Sequence, residues 1–188
     1  MLRQLLKSPN VFFQTLRPES LNNKTLFLGA ACLWFGILCE SGMQFLLSST
    51  ASTVKPMLEL IPLKQFELIK KEALLTLGLS PVIAFFGIYL FASALHVVLR
   101  GFNFVRSNNF NYETTLYLCA LCQVPMLFCI IPVIGPPVAS VWVFVLLMKA
   151  MRQVYGLSNL EAFASILPPA LFLKLSWNSA LQLLALSV

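Results

Sequence analysis

The stretch from Glu113 to Glu161, ETTLYLCALCQVPMLFCIIPVIGPPVASVWVFVLLMKAMRQVYGLSNLE, decides the fold. No charged residue stands between Glu113 and Lys149. A bilayer crossing takes roughly 20 apolar residues, so the run is too long for one helix and suits two. Its centre, Ile131-Pro132-Val133-Ile134-Gly135-Pro136-Pro137, supplies the reversal. Proline has no amide to donate and glycine tolerates backbone angles closed to other residues, so three prolines around one glycine end one helix and begin another. The reading is a helical hairpin in a membrane with a tight Pro/Gly turn at Pro132, Gly135, Pro136 and Pro137. Gly135 is expected in a backbone conformation that side chains disfavour. The charges resume at Lys149 and Arg152, where the second arm leaves the apolar phase.

Composition carries this reading outward. Of the 188 residues, 59% are hydrophobic and 11% charged, against about 45–50% and about 25% in soluble domains. The continuous apolar runs exclude the alternation of a membrane barrel, and helices satisfy their own backbone within lipid. The formal charge of +6 comes from thirteen Lys and Arg spread over the ends of apolar segments, which suits lipid head groups and not nucleic acid. Five cysteines lie inside expected spans. Cys119 and Cys122 have the C-x-x-C spacing, but with one histidine in the chain they read as packing residues and not as a zinc set.

In chain order, 1–24 interleaves Arg3, Lys7, Arg17 and Lys24 with Leu5, Phe12 and Phe13, predicting a short amphipathic helix on the membrane surface, broken at Pro9 and Pro18. The apolar run from Thr25 exceeds a signal-sequence core and is expected to stay as an anchor. Spans follow over about 25–49, 73–99, 113–132, 137–155 and 160–187. The first contains Glu40, the one acid in the middle of an apolar run. A carboxylate at that depth costs on the order of 2–3 kcal/mol on insertion scales, so it belongs near an interface, in its neutral form, or beside a partner in the bundle. A connector with four lysines predicts an interfacial helix beginning after Pro62 and leading into the second span, which Pro81 is expected to kink. His96, one turn before Arg100, reads as an interface histidine bonded to a neighbour. Ser158-Asn159-Leu160-Glu161 is a capping box that opens the last helix.

The segment from Gly101 to Pro169 resembles the Yip-domain family of multi-span membrane proteins, the Ypt/Rab-interacting type, in its short prokaryotic form. The resemblance rests on Pro125, the Ile131–Gly135 turn, Trp142, the exit Val154-Tyr155-Gly156-Leu157-Ser158, Ala162 and Leu167-Pro168-Pro169. Pro9-Asn10-Val11-Phe12-Phe13 with Leu16-Arg17-Pro18-Glu19 looks like the family's opening segment, so the likeness covers roughly 9 to 172. The family often has a tyrosine shortly before Pro125, where Leu121-Cys122-Gln123 stand here. Eukaryotic members bind Rab-type GTPases through a long cytoplasmic N-terminal region, for which this chain has about 24 residues. The resemblance therefore implies the membrane domain alone, in a bacterial inner membrane.

The fold expected is an all-α integral membrane protein of five transmembrane helices, with an N-terminal segment 1–24 and a membrane domain 25–188. Positive charge favours a cytoplasmic N-terminus, although the connector lysines oppose that count. No aspartate is present, and no G-x-S-x-G, H-E-x-x-H, P-loop or dinucleotide pattern occurs, so neither an enzyme nor a cofactor is expected. The expectation is a protein that works by association in the bilayer, with itself or another membrane protein, with Gly29, Gly36, Cys122 and Gln123 as contact positions. The rival is a small-solute or ion transporter with a polar path near Glu40 and Gln123 and helices broken at Pro81, Pro125 and Pro168-Pro169. Glu40, His96 and Gln123 are the candidate intramembrane polar contacts.

Overall fold

The computed structural model describes residues 2–16, 21–51, 63–102 and 110–187. Its described residues form seven α-helices: α1 (Leu2–Lys7), α2 (Pro9–Thr15), α3 (Asn23–Ala51), α4 (Leu63–Gly101), α5 (Tyr112–Leu121), α6 (Gly135–Tyr155) and α7 (Asn159–Ser187). Between α5 and α6 lies a 3₁₀ segment, Val124–Ile130. Among the described residues four stretches are long and apolar enough to cross a membrane: Asn23–Thr50, Glu67–Gly101, Tyr112–Ile130 and Gly135–Tyr155. The expected fifth, α7, has 29 residues but is not among them. The connector 52–62 and the loop 103–109 lie outside the described residues.

The hairpin's first arm departs from the expected single helix. α5 stops at Leu121 and the chain turns through Cys122 and Gln123 into the 3₁₀ segment. Pro125 is the cause: it has no amide for the Leu121 carbonyl, and its ring would strike that carbonyl. The amides of Gln123 and Met126 bond three residues back instead, to Ala120 and Gln123. Backbone of this kind survives in a bilayer only where protein covers it. Accordingly 61% of the most apolar 18-residue window within Tyr112–Ile130 is buried, against 28% of the corresponding window within Glu67–Gly101. The broken arm is the centre of the bundle.

α3 packs along that centre, against α5 and the 3₁₀ segment. A Cβ on Gly29 would run into the Ala120 carbonyl, and one on Gly36 would stand 2.6 Å from Met126 Cε. Gly29, Gly36 and the fully buried Cys122 are therefore helix contacts, and the helices they join are those of the bundle itself. The reading of the N-terminal segment is corrected. It breaks before Pro9 as expected, but Leu5, Phe12 and Phe13 are buried in the protein core, because α2 lies against α6.

Two expectations about helix ends are found as written. α4 begins directly after Pro62. The Ser158 amide donates to Glu161 Oε2 at 2.8 Å, while the Glu161 amide donates to Ser158 Oγ at 3.3 Å, the reciprocal pair of a capping box. Just before it, Gly156 closes α6 with φ +70°, a left-handed position natural to glycine.

Candidate functional site

The end of α4, the start of α5 and the end of α6 meet in a cluster of polar and aromatic side chains. Asn111 caps α5, accepting the Glu113 amide at 3.4 Å. One turn on, Thr115 is wholly buried, and its hydroxyl has three neighbours: the Asn111 carbonyl at 3.2 Å, Tyr155 OH at 2.8 Å and His96 Nδ1 at 3.4 Å. A hydroxyl has one proton to give. With that proton on the Asn111 carbonyl, Tyr155 must donate its own, and His96 must carry its proton on Nδ1. In that arrangement a neutral His96 keeps Nε2 as an acceptor.

Rings close the cluster from the side. Phe110 stacks on His96 with centroids 4.4 Å apart and planes 9° off parallel, and meets Tyr155 edge-on at 5.7 Å. Tyr112 stands edge-on to His96, and its hydroxyl shares a proton with Ser93 at 3.1 Å. Tyr117 donates to Asn23 at 3.0 Å, tying α5 to the start of α3. Thr115 and Tyr155 are buried too deeply to meet a solute, so the arrangement suits holding three helices together.

A second polar contact repairs α4. Pro81 leaves the Leu77 carbonyl without its helical donor. Ser80 Oγ donates to that carbonyl at 2.8 Å and accepts Trp34 Nε1 at 3.0 Å. One hydroxyl thereby satisfies a proline break and binds α3 to α4.

At the hairpin turn the Ile134 amide reaches the Pro132 carbonyl at 2.7 Å, enclosing Val133 at φ +66°. A β-branched residue there is strained, by on the order of 1–3 kcal/mol. Gly135 does not have the positive φ expected of it. It is needed for room: a Cβ would run into the Phe128 carbonyl and stand 3.0 Å from Cys129 Cα. Pro136 and Pro137 fill the first turn of α6, where missing amides leave no helical carbonyl unsatisfied.

The structure does not bring Glu40, His96 and Gln123 into one site; no hydrogen bond joins any two of them among the described residues. His96 belongs to the cluster above. Glu40 is exposed on α3 with no hydrogen-bond or ion-pair partner among the described residues. Gln123, half-buried, lines a cleft of about 250 Å³ with Phe91, Met126, Ser140, Phe144 and Ile166. The five cysteines are free thiols, four of them buried. Among the described residues no three of His, Cys, Asp and Glu gather as a metal set.

Sequence reading missed Thr115, Tyr155, Phe110 and the Trp34–Ser80 pair. A signal existed for the last, since a serine directly before a helix-interior proline is placed to serve the orphaned carbonyl. Thr115 and Tyr155 stand 40 residues apart, and nothing local joins them.

Comparison with curated proteins and with solved structures finds no match. The Yip1 domain matches residues 3–177, nearly the whole chain. This multi-pass integral membrane protein belongs to the Yip1 family.

Proposed function

We propose that the protein acts without catalysis, as a membrane-embedded association module with a scaffold or membrane-organising role. The observation that carries this is where its polar groups go. His96, Thr115 and Tyr155 are joined between helices, as separately are Ser80 and Trp34, while Phe27, Phe86, Leu90, Val97 and Val141 face outward. Polar contacts serve the bundle's own assembly, and an apolar exterior is left for lipid and for another membrane protein. The exposed position of Glu40 speaks against an internal polar path through that residue. In this reading α7 is a fifth span, 1–24 is cytoplasmic, the 132–137 turn is external, and the membrane is a bacterial inner membrane. Residues 25–188 form the membrane domain.

Crosslinking in native membranes is expected to trap a dimer or a complex with another membrane protein. Purified protein in liposomes is expected to pass no solute or ion above empty vesicles. Flux abolished by Glu40→Gln or Gln123→Leu would replace association with transport. Reporter fusions after Asn10 and Val188 test the span count, and a cytoplasmic readout at both would make it even.

A further inference from the structure

Along one side of the bundle the packed helices α4 and α7 leave an apolar groove between their side chains. It consists of two clefts, about 540 Å³ and about 460 Å³, which share Leu90 and Leu173 as walls. The larger is bounded by Val82, Phe86 and Leu90 on α4 and by Leu173, Lys174 and Ser176 on α7. Each cleft has the size of a small-molecule site, and end to end they follow the helix axes. The groove is therefore shaped for a long apolar chain.

One cation interrupts this lining. Lys174 is exposed at the groove and has no acidic partner among the described residues. It stands 13 residues beyond Glu161, about 20 Å along α7 at 1.5 Å per residue, in a hydrocarbon layer of about 30 Å. It thus lies in the leaflet opposite Glu161. A lysine at that depth extends its stem along apolar surface and lifts its ammonium toward the head groups. An ammonium without a counter-charge beside an acyl-sized groove suits an anionic head group on a fatty chain. We infer that the α4–α7 groove holds an anionic phospholipid, its chain lying between Phe86 and Leu173 and its phosphate on Lys174, with the Ser176 hydroxyl in reach as a further donor. The bound lipid covers the seam that the two helices leave open.

This inference rests on α7 as a fifth span. Reporter fusions on either side of α7, after Ser158 and after Val188, report on that crossing, so the two failures are told apart. The direct test is native mass spectrometry of the full chain in detergent, titrated with phosphatidylglycerol or phosphatidylcholine, beside thermal unfolding with each lipid. Wild type is expected to retain phosphatidylglycerol about fivefold better, the size of one lysine's attraction to an anionic head group. Lys174→Gln should erase that preference, while Lys174→Arg and Lys71→Gln keep it. Gly87→Leu, where a Cβ meets no atom within 4 Å, should weaken retention of both lipids by filling the groove. Equal retention of the two lipids by wild type would overturn the inference. So would an unchanged preference in Lys174→Gln, or thermal stabilisation by inorganic phosphate equal to that by the lipid.

Discussion

α3 and α4 are both long, apolar and continuous, yet they meet their neighbours in opposite ways. α3 presses Gly29 and Gly36 onto the backbone and side chains of Ala120 and Met126, leaving no space for a methyl at the first. α4 faces α7 with Phe86, Leu90 and Val97, all more than half exposed, and a groove remains. The hydrophobic effect does not draw helices together in lipid, so close packing depends on surface shape. Small residues let α3 touch the broken arm and cover its irregular backbone. Bulky ones leave clefts between α4 and α7 although the two helices touch, and the carbonyl that Pro81 frees is served by Ser80 instead.

The largest effect should come from closing the space on α3. Gly29→Val must force α3 from α5, since what its Cβ meets is the Ala120 backbone and not a flexible side chain. A loss on the order of 3 kcal/mol is expected, read as lower accumulation and an earlier unfolding midpoint in detergent. Gly36→Ala should cost less, because the Met126 side chain can move aside. Gly135→Val should resemble Gly29→Val, whereas Gly101, with open space around it, should tolerate the same change.

Next in size is the Ser80 hydroxyl, which lets α4 keep its proline and its grip on α3. Ser80→Ala strands the Leu77 carbonyl and the Trp34 indole together, at a cost of about 2 kcal/mol. Trp34 fluorescence should shift while the α5–α6 contacts persist. An unchanged midpoint would mean that Pro81 is relieved by other means. Tyr155→Phe should cost about 1 kcal/mol: it removes one bond to Thr115 but leaves the Phe110 edge contact in place. If Tyr155→Phe and Thr115→Val together cost no more than either alone, the two hydroxyls act as one unit.

Much of this contrast was legible in the chain. The uncharged run from Glu113, the Pro/Gly reversal and the capping box at Ser158 are local patterns, and helices turn and start there. The break at Leu121 was signalled by Pro125, but a proline within an apolar run does not say whether a helix kinks, as α4 absorbs Pro81, or stops. Burial decides that, and burial is a property of the assembled bundle. Gly135 shows the same limit. Its sequence context suggests a backbone role, while the positive φ falls on Val133, two residues earlier, and Gly135 instead admits the Phe128 carbonyl. His96 could be read as bonded to a neighbour. That the neighbour is Thr115, itself held by Tyr155, follows only once three helix ends converge.

The smallest effect, and the one that most sharpens the contrast, belongs to Gly87. It sits within α4 beside Phe86 on the groove wall, and a Cβ there meets no atom within 4 Å. Gly29→Val and Gly87→Ala therefore place new carbon on the two helices in opposite surroundings, backbone in one case and open groove in the other. An alanine at Gly87 removes glycine's conformational cost in a helix interior without a clash, so the protein should gain about 0.5–1 kcal/mol. One methyl leaves most of the larger cleft free, so phosphatidylglycerol should still be preferred over phosphatidylcholine. Unfolding midpoints of the variant in detergent, with and without phosphatidylglycerol, measure both quantities together. A higher midpoint in both conditions fits an open α4–α7 seam. A lower midpoint in both would place α7 against Gly87 and make α4 as tightly packed as α3.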